Sequence, residues 1–374
     1  MRRLSLKLHV FGSSLLSSYW NGAATYYRGI YKYLHARGHQ IVFHEPDAFE
    51  RQRHRDFDRV PYAGSVIYRN RGELERSLAA AAAADVIIKH SGVGVEDAFL
   101  AGAVLDAARA GARARLCVFW DVDAPATLSD LWNGRDTRLA KCLPEFNLVF
   151  TYGGGMRVVR EYRELGARGC YPIYNGLDPE THYPVAPEPR WQAKMTFLGH
   201  RLPDREERVE RFFMQIARAL PEYRFLLGGE GWRDYPLPAN VIYRGHVTSG
   251  EHNAANSSAE TVLNINRSSM ADYGYSPPTR IFEAAGAAAC VISDRWEGLE
   301  QFFTPGEEIF QIEDGLRLAS LLRTLTPVAA RQMGERMRRR ALREHSYAQR
   351  ARQAETLLLR NRTRPRPTRT AEAA

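Results

Sequence analysis

Twice along this chain, short apolar runs alternate with helical stretches. The two series are parted by a break full of turn formers, Tyr171-Pro-Ile-Tyr-Asn175-Gly-Leu-Asp178-Pro-Glu-Thr-His-Tyr-Pro184, with Pro187 and Pro189 just beyond it. Strand and helix in alternation specify parallel sheets with helices on both faces. A length of 374 residues also exceeds what one hydrophobic core usually holds. The expected fold class is therefore α/β, with two Rossmann-like, doubly wound domains. Their expected extents are 1–180 and 181–346, followed by a terminal helix over 347–360 and a basic, disordered tail over 361–374.

In the first series a strand over Leu4–Phe11 runs into Gly12-Ser13-Ser14 and on to Asn21-Gly22, before a helix over Ala23–Arg37. Doubly wound sheets bind ligands at the carboxyl ends of their strands, so Ser13, Ser14, Asn21 and Gly22 fall on a candidate binding loop. No GxGxxG is present, and a dinucleotide fingerprint is not supported. A second strand is expected over Gly38–His44, and another over Asp85–Lys89 that delivers His90. A further strand over Arg115–Asp121 delivers Asp121 and Asp123. Two carboxylates two residues apart could hold a metal, but no complete ligand set stands near them, and none is expected. Asp123 could instead cap the turn before Ala124-Pro125, and His90 could be a packed strand-end residue.

The second series has strands at Met195–Gly199, Arg224–Gly229, Val241–Gly245 and Thr261–Asn266, with a helix over Glu206–Leu220. Its most informative stretch is Tyr275-Ser276-Pro-Pro-Thr279-Arg280-Ile-Phe-Glu283, followed by a strand over Ala287–Ile292. Ser276 as N-cap and Pro277 at the first helical position predict a helix start here. Its first free amides then belong to Thr279 and Arg280, beside a guanidinium, a suitable grip for a diphosphate. One turn deeper, Glu283 could accept ribose hydroxyls. The plainer alternative is a capped helix with an Arg280–Glu283 ion pair.

Fifty-two Lys and Arg against 43 Asp and Glu give a net charge of +9, which favours anionic partners. Part of it comes from Arg360, Arg362, Arg364, Arg366 and Arg369 near the end, so a nucleic-acid partner is not expected, while peripheral membrane contact stays open. Cys117, Cys142, Cys170 and Cys290 are scattered without paired spacing, as in reduced cytoplasmic proteins. No signal peptide is read at the N-terminus, and no uncharged apolar run nears the ~20 residues of a membrane span.

Across the second half, Asn175-Gly-Leu-Asp178, Thr196-Phe-Leu-Gly199-His-Arg201, Leu227-Gly-Gly-Glu-Gly231, Val241-Ile-Tyr-Arg-Gly-His-Val247 and Pro278 through Gly286 with Trp296-Glu-Gly298 resemble, in order and spacing, the GT-B glycosyltransferases. Within these they resemble the CgeB-like, spore-maturation-protein-like group. The resemblance implies two domains facing across a cleft, a nucleotide-sugar donor on the second, an unidentified acceptor (glycan, natural product or protein) on the first, and a last helix that crosses back. It implies diphosphate contacts from Arg201 in the loop after Gly199 and from Thr279 and Arg280, and ribose contact from Glu283. No cofactor or metal is implied beyond the donor co-substrate. Many retaining relatives carry a glutamate where this chain has Tyr275, and relatives of the narrower group carry histidine where it has Ala23. An inverting course would need a general base on the acceptor side, for which Asp121, Asp123 and His90 are the candidates. The competing functions are a nucleotide-sugar epimerase on the same fold and a lapsed sugar-nucleotide-binding protein.

Overall fold

The structure, a computed structural model, describes residues 4–110 and 115–362. The Arg364, Arg366 and Arg369 part of the expected basic tail lies outside the described residues. Two compact units are present. One takes in residues through Tyr152, Val158–Ile173 and the chain from Ala351 on; the other takes in Gly153–Arg157 and Tyr174–Arg350.

The first unit holds a seven-stranded sheet built of β1 (Lys7–Phe11), β2 (Gln40–Pro46), β3 (Gly64–Tyr68), β4 (Val86–His90), β5 (Leu116–Asp121), β6 (Leu148–Thr151) and β7 (Cys170–Pro172), in the order β3-β2-β1-β4-β5-β6-β7. The second holds a six-stranded sheet of β8 (Met195–Leu198), β9 (Phe225–Gly228), β10 (Val241–Tyr243), β11 (Thr261–Asn264), β12 (Val291–Asp294) and β13 (Phe310–Ile312), in the order β10-β9-β8-β11-β12-β13. Neighbours pair in parallel throughout both sheets. Both therefore follow the doubly wound order that starts in the middle and reverses once. The reversal falls between β1 and β4 in one unit and between β8 and β11 in the other. At such a point the two flanking loops diverge and leave a crevice at the strand ends.

The strands read as continuous apolar runs because both faces are covered. Val262 and Leu263 on β11 go to different hydrophobic clusters, one containing Ile281 and Phe282, the other Phe197, Phe212 and Phe213. No helix of the described residues is long and apolar enough to cross a membrane.

Three expectations shift in register. The helix expected from Ser276 begins at Thr279 and runs to Gly286, with Pro278 at its N-cap. Each proline bars the residue before it from helical backbone, so neither Ser276 nor Pro277 can start it, and Ser276 Oγ donates to Gly274 O instead at 2.9 Å. The strand expected over Ala287–Ile292 starts only at Val291. Ala288 sits at φ +56°, Ala289 N donates to Ala284 O and Ala288 N to Ala285 O, which is a Schellman end with alanine where glycine is usual. The helix expected over Glu206–Leu220 starts at Pro203 and is interrupted by a π turn over Glu210–Met214. The strands β3 and β7 and the helix Pro327–Glu344 add to the elements read from sequence.

Burial holds His44 and His90 neutral in the first sheet, each pushed down to about 3. A folded-state value below the unfolded one, near 6.5, means that protons bind the unfolded chain first, so this stability is present above pH 6.5 and is lost as pH falls toward 3. Unfolding free energy should drop by about 2.5 kcal/mol between pH 7.5 and 5.5 from these two groups. Denaturant titration of His44→Gln and of His90→Gln should each show about half of that fall removed.

Candidate functional site

In the second unit the crevice at the sheet reversal is lined by the chain leaving β8, the end of β11 and the N-terminus of the helix Thr279–Gly286. Positive charge concentrates there, and most of it is paired. Arg201 grips Glu206 with two 2.8 Å bonds, Arg208 pairs with Asp294, and Arg267 pairs with Asp204 at 2.9 Å. Arg205 and Arg280 remain, and among the described residues neither has a carboxylate at ion-pair distance. Arg205 donates to His200 O from Nε and Nη2 (3.2 and 2.6 Å), and Arg280 Nη1 reaches Asn264 Oδ1 at 3.5 Å.

What holds two like charges together is the Phe197 ring, whose centroid lies 5.6 Å from Arg205 Cζ and 5.4 Å from Arg280 Cζ. Gly199 completes the arrangement. A Cβ there would stand 2.8 Å from Arg205 Nη2 and 3.0 Å from Arg280 Nη2, so the missing side chain lets both guanidinium groups converge. Burial and then the Arg280 charge push Arg205 down to about 9, burial lowers Arg280, and burial with Arg205 beside it pushes His200 down to about 4. Burial leads in all three shifts; neighbouring cations add to it at Arg205 and His200, while Glu283 and Asp294 oppose it at Arg280.

The helix mouth adds two donors, since Ile281 N is the first amide of this helix to find a backbone acceptor, at Pro278 O. Glu283 does not pair with Arg280; it is buried, with Oε2 3.7 Å from His252 Nδ1. Tyr275 takes left-handed backbone at φ +44°, its N–H donating to Glu297 O and its carbonyl accepting from Gly154 N. Its ring lies against Gly155 and Gly298, where added Cβ atoms would approach to 2.8 and 2.3 Å. Sequence reasoning missed Arg205 and also Asn266, which is 1 % exposed and has neither end of its amide engaged.

In the first unit the candidate bases differ sharply in environment. Asp121 is fully buried: Oδ1 accepts from Ser91 Oγ (2.6 Å), Asp123 N (2.9 Å) and Thr127 Oγ1 (3.0 Å), and Oδ2 accepts from Tyr162 Oη (2.6 Å). Burial raises its carboxyl, with these donors opposing. Such a group braces a strand end, and its full burial keeps the remaining Oδ2 lone pair away from a substrate proton. His90 is equally enclosed, bonded to Tyr31 Oη at 2.6 Å and Trp120 O at 3.1 Å and packed on Tyr27 and Trp120. Asp123, half-buried at the N-cap of Ala124–Trp132 without a side-chain capping bond, is the most accessible of the three.

The loop after β1 is internally braced. Ser13 Oγ donates to Asn21 Oδ1, Asn21 Nδ2 donates to Ser14 O and Ser17 O, Ser14 Oγ donates to Glu45, and Gly22 is exposed. No group of three His, Cys, Asp or Glu among the described residues is placed to hold a metal ion.

Residues 205–356 match the family model described as glycosyl transferase-like, in agreement with the expected family; the match does not bear on the CgeB-like subgroup. No curated protein sequence matches the chain. Among solved structures, sucrose-phosphate synthase from Thermosynechococcus elongatus is similar over 95% of this chain and 98% of its own, at 15% identity and a TM-score of 0.67. HepE of Anabaena, in complex with UDP and glucose, is similar over 94% and 99% at 15% identity and 0.65. AviGT4, a glycosyltransferase involved in avilamycin A biosynthesis, is similar over 96% and 98% at 15% identity and 0.58. The fold is that of the GT-B glycosyltransferases.

Removing the Asp121 carboxylate leaves four donors without an acceptor in a closed site. Asp121→Ala should therefore lower unfolding free energy by about 3–5 kcal/mol, and Asp123→Ala by less than about 1. Equal losses in denaturant titrations would contradict this division.

Proposed function

We propose that this protein is a glycosyltransferase that moves a sugar from a nucleoside diphosphate donor to an acceptor, with the donor's diphosphate held by Arg205, Arg280 and the Thr279–Arg280 amides. The observation that carries the reading is the pair of uncompensated guanidinium groups converging at Gly199. Three ion pairs engage Glu206, Asp294 and Asp204, Glu283 lies beside His252, and Arg205 and Arg280 are left without a carboxylate at ion-pair distance among the described residues, which suits a group bearing two or more negative charges. Arg201, engaged by Glu206, serves on this reading to fix the loop, and the diphosphate contact falls to Arg205.

Charge develops on the departing diphosphate as the anomeric bond breaks, and donors already in position stabilise it without reorganising. Glu283 would take the ribose hydroxyls beside His252, and Asn266 would offer its free amide to the donor. Tyr275 in place of a carboxylate leaves the sugar without a charged neighbour at that position. Asp123 is the candidate base if the course is inverting, because Asp121 and His90 are fully engaged. HepE holds UDP with glucose, and UDP-glucose in a second complex, so uridine diphosphate sugars are the first donors to try.

Titration calorimetry with UDP should show binding that chelator does not alter. Arg205→Gln and Arg280→Gln should each weaken it about 10–100-fold, the worth of one or two charge-assisted bonds. Gly199→Ala, which drives a carbon against both guanidinium groups, should weaken it comparably. Unchanged UDP affinity in Arg280→Gln would overturn the assignment.

A further inference from the structure

The first unit holds its own unanswered cation. Arg51, in the chain after β2, is 8 % exposed, yet its Nε and Nη1 have no hydrogen-bond partner. Its one bond runs from Nη2 to Trp20 O at 3.3 Å, and its Cζ stacks 5.0 Å from the Phe49 ring centroid. Nearby, Tyr27 Oη is buried without a hydrogen bond of good geometry, although Ser13 lies close to it. A guanidinium and a phenol enclosed in this way cost stability unless something accepts from them.

The carboxylates in the neighbourhood are already committed. Glu45 accepts from Ser14 Oγ, Gln52 Nε2 and Leu15 N. Asp97 accepts from Lys89 Nζ and Gly94 N. Among the described residues none stands at ion-pair distance from Arg51. The loops that carry it are also strained: Trp20, Phe49 and Glu50 all adopt φ between +45° and +56°. Bulky side chains rarely take that conformation, and it persists where surrounding structure enforces it. Phe49 is seated against Gly94, where a Cβ would come within 2.5 Å of its ring, and both Phe49 and Trp20 stay about half exposed. These residues follow β1, β2 and β4, the strands around this sheet's reversal point, where a doubly wound sheet receives ligands.

We propose that Arg51 and Tyr27, bordered by the aromatic rings of Trp20 and Phe49, form an oxyanion subsite in the first unit that takes a carboxylate or phosphate group of the acceptor. Four of the five N–H bonds of the guanidinium are open, enough to offer a fork to two oxygens of a planar or tetrahedral oxyanion, and the phenol supplies a further donor. The exposed rings offer an apolar face to the rest of the ligand. Calling that ligand the acceptor rests on the glycosyl-transfer reading; the anion site itself does not.

Calorimetric titration of the full chain with glucuronate, glycerol 3-phosphate and glucose tests the subsite. Binding of glucuronate alone identifies a carboxylate ligand, and binding of glycerol 3-phosphate alone a phosphate ligand. Either should weaken at least about tenfold in Arg51→Gln, less in Tyr27→Phe, and not at all in Arg280→Gln, with glucose not bound. Should Arg51→Gln not fold, Arg51→Lys, which keeps the charge and loses the fork, should show the same direction of change. Anion affinity indifferent to Arg51, glucose binding equal to glucuronate, or no binding of either anion overturns the subsite. Loss of the subsite with UDP binding still dependent on Arg280 leaves the donor reading standing. The reverse leaves the anion site standing and overturns the donor-site assignment.

Discussion

In the second unit two guanidinium groups share one phenylalanine ring, with no carboxylate among the described residues at ion-pair distance from either. Arg205 and Arg280 meet over Phe197 because β8 ends one residue before Gly199 and because the helix Thr279–Gly286 starts where two prolines force it to start. A folded chain that merely minimised its own energy would place an acid between them. Acids are present, but Glu206, Asp294 and Asp204 are tied to other arginines and Glu283 to His252. The repulsion is therefore retained by the arrangement of the surrounding pairs, and a ligand of opposite charge would relieve it.

The same logic separates structural from reactive groups in the first unit. Asp121 had the right residue type and the right strand-end position for a base, and its position is real. Its oxygens, however, are filled by Ser91, Thr127, Tyr162 and the Asp123 amide. Arg51 shows the inverse case, a buried charge with unfilled donors. Burial alone does not distinguish them; the count of partners does.

Much of the fold was legible in the sequence because parallel strands covered on both faces read as unbroken apolar runs, and most strand positions agree within two residues. The exceptions have identifiable causes. The edge strand β3 carries a mixed pattern, with Val66 38 % exposed and Tyr68 buried, and β7 has only three residues, so neither gives a periodic signal. The Schellman end at Ala288 was invisible because an alanine occupies the left-handed position that glycine usually marks. At the candidate site, Gly199, Thr279 and Arg280 were legible as parts of a motif. Arg205 was not, since a helix of composition Pro-Asp-Arg-Glu-Glu-Arg-Val presents several equivalent charges, and only the pairing pattern reveals which arginine is left over.

That pairing pattern also bears on how the second unit tolerates change. Glu206→Gln would free Arg201 and add a third uncompensated cation to a region already depleted of negative charge, whereas Asp294→Asn would free the partly buried Arg208 beside Asn266. Asp294 is itself pushed up to about 6 by burial, against the pull of Arg208, so its charge is the least secure of the three acids. A raised folded value means that its protonated form favours the folded state, an advantage complete below about pH 4 and gone above about pH 6. As pH falls through 6, Arg208 loses its counter-charge and joins Arg205 and Arg280, so attraction for an anion in this crevice strengthens on mild acidification. The ion pairs that leave two cations unanswered at neutral pH therefore set how the crevice's charge varies with pH.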